Sequence, residues 1–101
     1  MVLENTIEKH ADEKARALGG FTVKLVPDGR RGIPDRLVVL PGGVILFLEL
    51  KRPRGGVVDT LQRYWHNNIR KLGHAAHYAK TTGEIDDIYN EAMVRAGRTH
   101  Y

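Results

Sequence analysis

Hydrophobic positions along the 101-residue chain change period several times, and each change marks an element. Over residues 4 to 18, Ile7, Ala11, Ala15 and Leu18 recur at spacings of four, four and three. That is the apolar stripe of an amphipathic helix, and Gly19-Gly20 supplies its left-handed stop. Phe21, Val23 and Leu25 then alternate with Thr22, Lys24 and Val26, so a first strand is expected over residues 21 to 26, with one face on a core and a turn at Pro27-Asp28-Gly29. Arg36 to Leu40 and Val44 to Leu50 read as two strands joined by Pro41-Gly42-Gly43 in an antiparallel hairpin. The second is apolar almost throughout, which predicts cover on both faces.

Pro53, Gly55 and Gly56 predict a loop after the hairpin. Asp59 or Thr60 caps a helix to Leu72 whose stripe is Leu61, Trp65, Ile69 and Leu72, with Gly73 as its stop. His74 to Ala79 forms a short strand, and Thr81 or Thr82 opens a last helix from about Glu84 to Ala96 on Ile85, Ile88, Tyr89 and Ala92. The order αβββαβα places helices on both sides of a small mixed sheet, an α/β/α sandwich whose third and fourth strands run parallel. No repeat, low-complexity tract or boundary interrupts it, so one domain over 1–101 is expected.

Composition narrows the possibilities. With 42% hydrophobic and 28% charged residues the chain is globular in type, and at this length folding hides roughly 65% of the unfolded surface. The absence of cysteine excludes disulfides and thiolate zinc sites. No apolar run approaches a membrane span and the N-terminus has no leader pattern, so a soluble, cytoplasmic protein is expected, with no membrane partner. Sixteen Lys and Arg against twelve Asp and Glu give a net charge of +4, which favours anionic partners, nucleic acid first. Arg30, Arg31, Arg36, Lys51, Arg52 and Arg54 cluster around two acids, Asp35 and Glu49.

Those acids carry the candidate chemistry. Glu49 interrupts an apolar run, where an unpaired buried charge costs several kcal/mol. Side-chain alternation points Glu49 and Lys51 to one face and Leu48 and Leu50 to the other. Counting back from the hairpin turn sets Asp35 opposite Glu49 within a residue or two. Adjacent carboxylates repel unless a cation lies between them, and a hard divalent ion such as Mg²⁺ suits an acidic pair in a basic surround. The alternative is a structural Glu49–Lys51 pair with Asp35 capping the Gly32-Ile33-Pro34 turn. Arg30, Arg31, Arg52 and Arg54 are the expected phosphate contacts, followed by Lys24, Arg36 and Arg63. Trp65 belongs to the core stripe, while His66 could approach the cleft. The five histidines show no metal-ligand spacing.

Pro34-Asp35, one hairpin, then Glu49-Leu50-Lys51 resembles the PD-(D/E)XK nuclease motif on that superfamily's restriction-endonuclease-like core. Within it, "GIPDRLVVLPGG", "FLELKRPRGG" and Gln62 are similar to the VRR-NUC (virus-type replication-repair nuclease) domain, in a stand-alone form covering nearly the whole chain. The resemblance implies Asp35, Glu49 and the Leu50 carbonyl as ligands to Mg²⁺ or Mn²⁺, Lys51 as the catalytic lysine, and Gln62 as its support. A glutamate of the first helix would add a further ligand, Glu8 in preference to Glu4. It also implies a metal-dependent endodeoxyribonuclease selective for branched DNA or a four-way (Holliday) junction in replication, recombination or repair, acting as a homodimer without an organic cofactor. A non-catalytic nucleic-acid-binding module built on the same fold is the alternative.

Overall fold

A computed structural model describes residues 4–26, 28–51 and 59–97. The elements are α1 (Glu4–Ala17), β1 (Phe21–Lys24), β2 (Arg36–Leu40), β3 (Val44–Leu50), α2 (Thr60–Lys71), β4 (Ala75–Ala79) and α3 (Thr82–Arg95). The strands form one mixed sheet in the order β1-β2-β3-β4. β1 and β2, and β2 and β3, pair antiparallel, whereas β3 and β4 pair parallel through the α2 crossover.

Val38, Leu40, Leu46, Leu48 and Leu50 project from one face of the sheet into a core closed by Ile7, Ala11 and Ala15 of α1 and Ile85, Tyr89 and Met93 of α3. Burying one such aliphatic side chain stabilises by about 1.5–3 kcal/mol. Alanines at 11 and 15 let α1 lie close to the sheet, and the Tyr89 hydroxyl donates to the Ala11 carbonyl at 3.0 Å, which ties α3 to α1. α2 covers the opposite face, over β4, where the His66 ring stacks on Tyr78 with 3.9 Å between centroids.

Four sequence expectations need correction. β1 ends at Lys24 rather than Val26, and its faces are inverted: Phe21 and Val23 are exposed while Thr22 is half-buried. In register Thr22 lies beside Val38 and Lys24 beside Arg36, on the side that α1 covers, and the Thr22 hydroxyl donates to the Asp12 carboxylate. β3 is covered fully on one face only, since Ile45 on the other is half exposed. The α2 stripe is rotated: Leu61 and Leu72 are exposed, Trp65 and Ile69 half-buried, and the one fully buried residue is His66. β4 begins at Ala75, leaving His74 outside the strand.

Candidate active site

The antiparallel register runs from Leu40 opposite Val44 to Arg36 opposite Leu48, so Asp35, one step further, stands beside Glu49. The Asp35 N–H donates to Glu49 Oε1 at 3.2 Å. On the other side Glu49 pairs with Tyr78 of β4. Asp35, Glu49 and Tyr78 thus form one row across three strands, on the α2 side of the sheet.

Gln62 connects this row to α2. Asp59 caps the helix by accepting from the Gln62 N–H at 2.8 Å, and Gln62 Oε1 accepts in return from the Asp59 N–H at 3.2 Å, a reciprocal capping box. The same Oε1 accepts from Lys51 Nζ at 2.6 Å, and Gln62 Nε2 donates to Glu49 Oε2 at 3.2 Å. Two donors on one end and a carboxylate on the other define the amide's orientation. Glutamate, the other common residue at this capping position, would set a third carboxylate against Glu49. Lys51 Nζ itself lies 3.7 Å from Glu49 Oε2.

Glu49 is only 8% exposed. Burial, followed by the neighbouring Asp35 charge, pushes its pKa from 4.5 up to about 7, against the opposing pull of Lys51. A carboxylate held that far above its ordinary value, in a row with a second acid, is a group whose ionisation calls for a cation. The donors are all oxygens, so the pair fits a hard divalent ion better than a soft one.

The remaining site candidates are placed as follows. Glu8 of α1 reaches Arg36 Nη2 at 3.2 Å, while Asp12 reaches Nη1 at 3.1 Å. Arg36 is therefore a buried clamp between α1 and β2, and its expected phosphate role is corrected: at 6% exposure it cannot meet a phosphate. Among the described residues no three His, Cys, Asp or Glu side chains converge as a metal cluster, so Glu8 is not brought to Asp35 and Glu49. Leu50 buries its side chain in the core at the end of β3, where the next residue's N–H donates to the Ala79 carbonyl at 2.8 Å. Arg30 and Arg31 are exposed on the loop that leads to Asp35, and Lys24 and Arg63 are exposed too. Arg52, Arg54 and the expected loop at Pro53-Gly55-Gly56 lie outside the described residues, as do Pro27 and the Glu4 side chain.

His66 is the site neighbour that periodicity underrates. One turn after Gln62, its Nδ1 lies 3.0 Å from the Gln62 carbonyl, and its Nε2 lies 3.3 Å from the His77 carbonyl. Burial pushes its pKa below the ordinary value, so the ring is neutral and donates its one N–H to one of these oxygens. The spacing Gln62 to His66 was the available signal, because residues four apart share a helix face. Gly32 is the other support. At φ +90 it passes so close to α2 that a Cβ there would stand 2.6 Å from the Leu61 carbonyl carbon. Only glycine lets the Asp35 loop approach the helix that carries Gln62.

No protein-family model matches the chain. A curated relative, "Putative nuclease p44" of Acyrthosiphon pisum secondary endosymbiont phage 1, is 45% identical over 74 residues, covering 73% of this chain and 78% of the relative. A solved structure described as a VRR_NUC domain superposes with a TM-score of 0.79 at 37% identity, over 85% of this chain and 92% of that one. The chain belongs to the VRR-NUC family. As a VRR-NUC chain it carries a nuclease domain, on a fold that goes with divalent-metal use. Among the described residues, none of its helices is long and apolar enough to cross a membrane.

Proposed function

We propose that this VRR-NUC chain is a Mg²⁺- or Mn²⁺-dependent endodeoxyribonuclease that hydrolyses phosphodiester bonds in branched DNA, four-way junctions foremost, during replication, recombination or repair. The observation that carries the reading is the row of Asp35 and Glu49 with Lys51 and Gln62 hydrogen-bonded into it. Asp35, Glu49 and the Leu50 carbonyl would hold the ion, with Glu8 as the helix-borne acid once released from Arg36. The ion's contribution is to lower the pKa of water and polarise a phosphoryl oxygen. Lys51, aimed by Gln62 Oε1, orients the attacking water or neutralises charge growing on the phosphate. Arg30 and Arg31, with Arg52 and Arg54, neutralise the flanking backbone, which gives salt-sensitive affinity without base readout.

One such row per chain cuts one strand. Symmetrical cleavage of a junction needs two rows related by a two-fold axis, so the proposal includes a homodimer, working in the cytoplasm of a bacterium or phage-infected cell. The test is a cleavage panel of linear, flap and four-way-junction DNA with Mg²⁺ or Mn²⁺. Faster cutting of branched substrates is expected. DNA that is bound but left intact in every form would favour the non-catalytic module instead.

A further inference from the structure

α2 differs in charge from the other two helices. From Thr60 to Lys71 it holds no acidic residue and three cations, Arg63, Arg70 and Lys71. α1 and α3 hold four acids each, against three Lys or Arg in α1 and one in α3. α1 and α3 pack on one face of the sheet, so the face that carries the Asp35–Glu49 row has the cationic helix beside it. Arg63, Asn67 and Lys71 are exposed and four residues apart, which sets them in one row on the outer side of α2, with Tyr64 and Asn68 in the row alongside. Tyr64, Asn67, Asn68, Arg70 and Lys71 line one open cleft of about 670 Å³, whose wall offers hydrogen-bond donors and two cations but no carboxylate. Arg70 Nε donates to the Ala76 carbonyl at 2.9 Å, which holds that guanidinium against β4. The nearest acid in sequence, Asp59, is taken up by the helix cap.

We propose that the outer side of α2 is a phosphate-binding tract that holds one arm of duplex DNA as it runs away from the catalytic row; the inference rests on the nuclease reading above and fixes where its substrate lies. Charge complementarity carries it, together with continuity. Gln62, which hydrogen-bonds Lys51 and Glu49, is followed directly by Arg63, so the tract starts where the catalytic contacts end. From Arg63 to Lys71 the helix advances about 12 Å. One strand of a duplex advances about 3.4 Å per phosphate, so the tract spans about three or four phosphates. Cations, hydroxyls and side-chain amides are the groups that meet a DNA backbone. A single strand is held instead on successive aromatic platforms, and Tyr64 is the one exposed aromatic of α2, with Trp65 half-buried and edge-on against it. An acidic protein segment would meet the same cations, but only nucleic acid continues from them into a row built to cut a phosphodiester.

Fluorescence anisotropy of the full chain in EDTA, with a labelled blunt duplex and with its single strand over a range of salt, tests this. The double variant Arg63→Gln/Lys71→Gln should keep the parent's circular dichroism. Its slope of log binding constant against log salt should be shallower by about 1.8, at about 0.9 per phosphate contact, and its duplex binding about sixtyfold weaker at about 0.1 M salt. Lys9→Gln/Arg16→Gln removes the same charge from exposed positions of α1 and should leave the slope unchanged. Equal losses in the two double variants would reduce the effect to net charge and overturn the tract. A loss confined to the single strand would overturn the duplex assignment. An α2 variant with the parent's slope, in a protein that still cuts DNA with metal, would overturn the tract and leave the nuclease reading standing. A parent that neither binds nor cuts DNA would overturn both and leave these cations to an acidic protein segment.

Discussion

Replacing Glu49 by glutamine should stabilise the metal-free protein at neutral pH while stopping catalysis. The rise of the Glu49 pKa from 4.5 to about 7 is a penalty on the ionised form in the folded state. At 1.4 kcal/mol per unit it amounts to about 3 kcal/mol, and screening by solvent at the strand end reduces it to about 2 kcal/mol. The amide introduced by Glu49→Gln would still accept from the Asp35 N–H, but its NH₂ would face Gln62 Nε2 donor to donor, at a cost of about 1 kcal/mol; the attraction of Lys51 is already contained in the pKa of about 7. The net gain at pH 8 is about 1 kcal/mol, or about 5 °C in Tm for a chain of this size. The sign reverses in acid. Between about 4.5 and about 7 the folded parent binds more protons than the unfolded chain, so parent stability falls as pH rises through that window and is level above it. Below pH 4.5 the penalty vanishes, and the variant should be less stable than the parent by about 1 kcal/mol. Thermal melts in EDTA from pH 4 to 8.5 read this directly. A gap that does not change with pH, or a variant less stable at pH 8, would show that the folded state does not penalise the ionised Glu49.

Gly32→Ala should cost about 2 kcal/mol or more, because the residue sits at positive φ and its new Cβ meets the Leu61 backbone; a fall of about 10 °C in Tm with loss of cleavage is the expected result. Gln62→Glu should lower kcat by about tenfold to a hundredfold at pH 7, with the variant's pH–rate profile displaced to higher pH, since the new carboxylate opposes ionisation of Glu49. Arg36→Met leaves Glu8 and Asp12 without their cation and should cost about 2 kcal/mol, seen as a lower urea midpoint. If Glu8 ligates the ion, Glu8→Gln should abolish cleavage while Arg36→Met, assayed below its midpoint, retains it.

The placement of Asp35 beside Glu49 was legible in the sequence because a tight turn at Pro41-Gly42-Gly43 fixes the register of everything behind it. A one-residue slip would move Glu49 to the core face. Period-two alternation at residues 21 to 24 showed a strand but not which side would be covered, and that side depends on where α1 lands. The continuous apolar run of β3 suggested two covered faces for the same reason. In α2, the Leu61, Trp65, Ile69, Leu72 stripe is a fair helix pattern, yet hydrogen bonds to the Gln62 and His77 carbonyls and the Tyr78 ring bury His66 instead. A hydropathy pattern carries no information about those partners. Arg36 follows the same logic: a basic residue beside an acid in sequence faces the opposite side of the strand, and α1 supplies its acids from afar.

Metal titration of one variant decides whether Asp35 and Glu49 hold the ion proposed for the nuclease chemistry. Cleavage of a four-way-junction DNA is followed against Mg²⁺ concentration for the parent and for Glu49→Gln, both shown folded by circular dichroism. Saturable, metal-dependent cutting is expected from the parent and none from the variant at any Mg²⁺ concentration. A folded Glu49→Gln protein that cuts at the parent's rate would contradict the assignment.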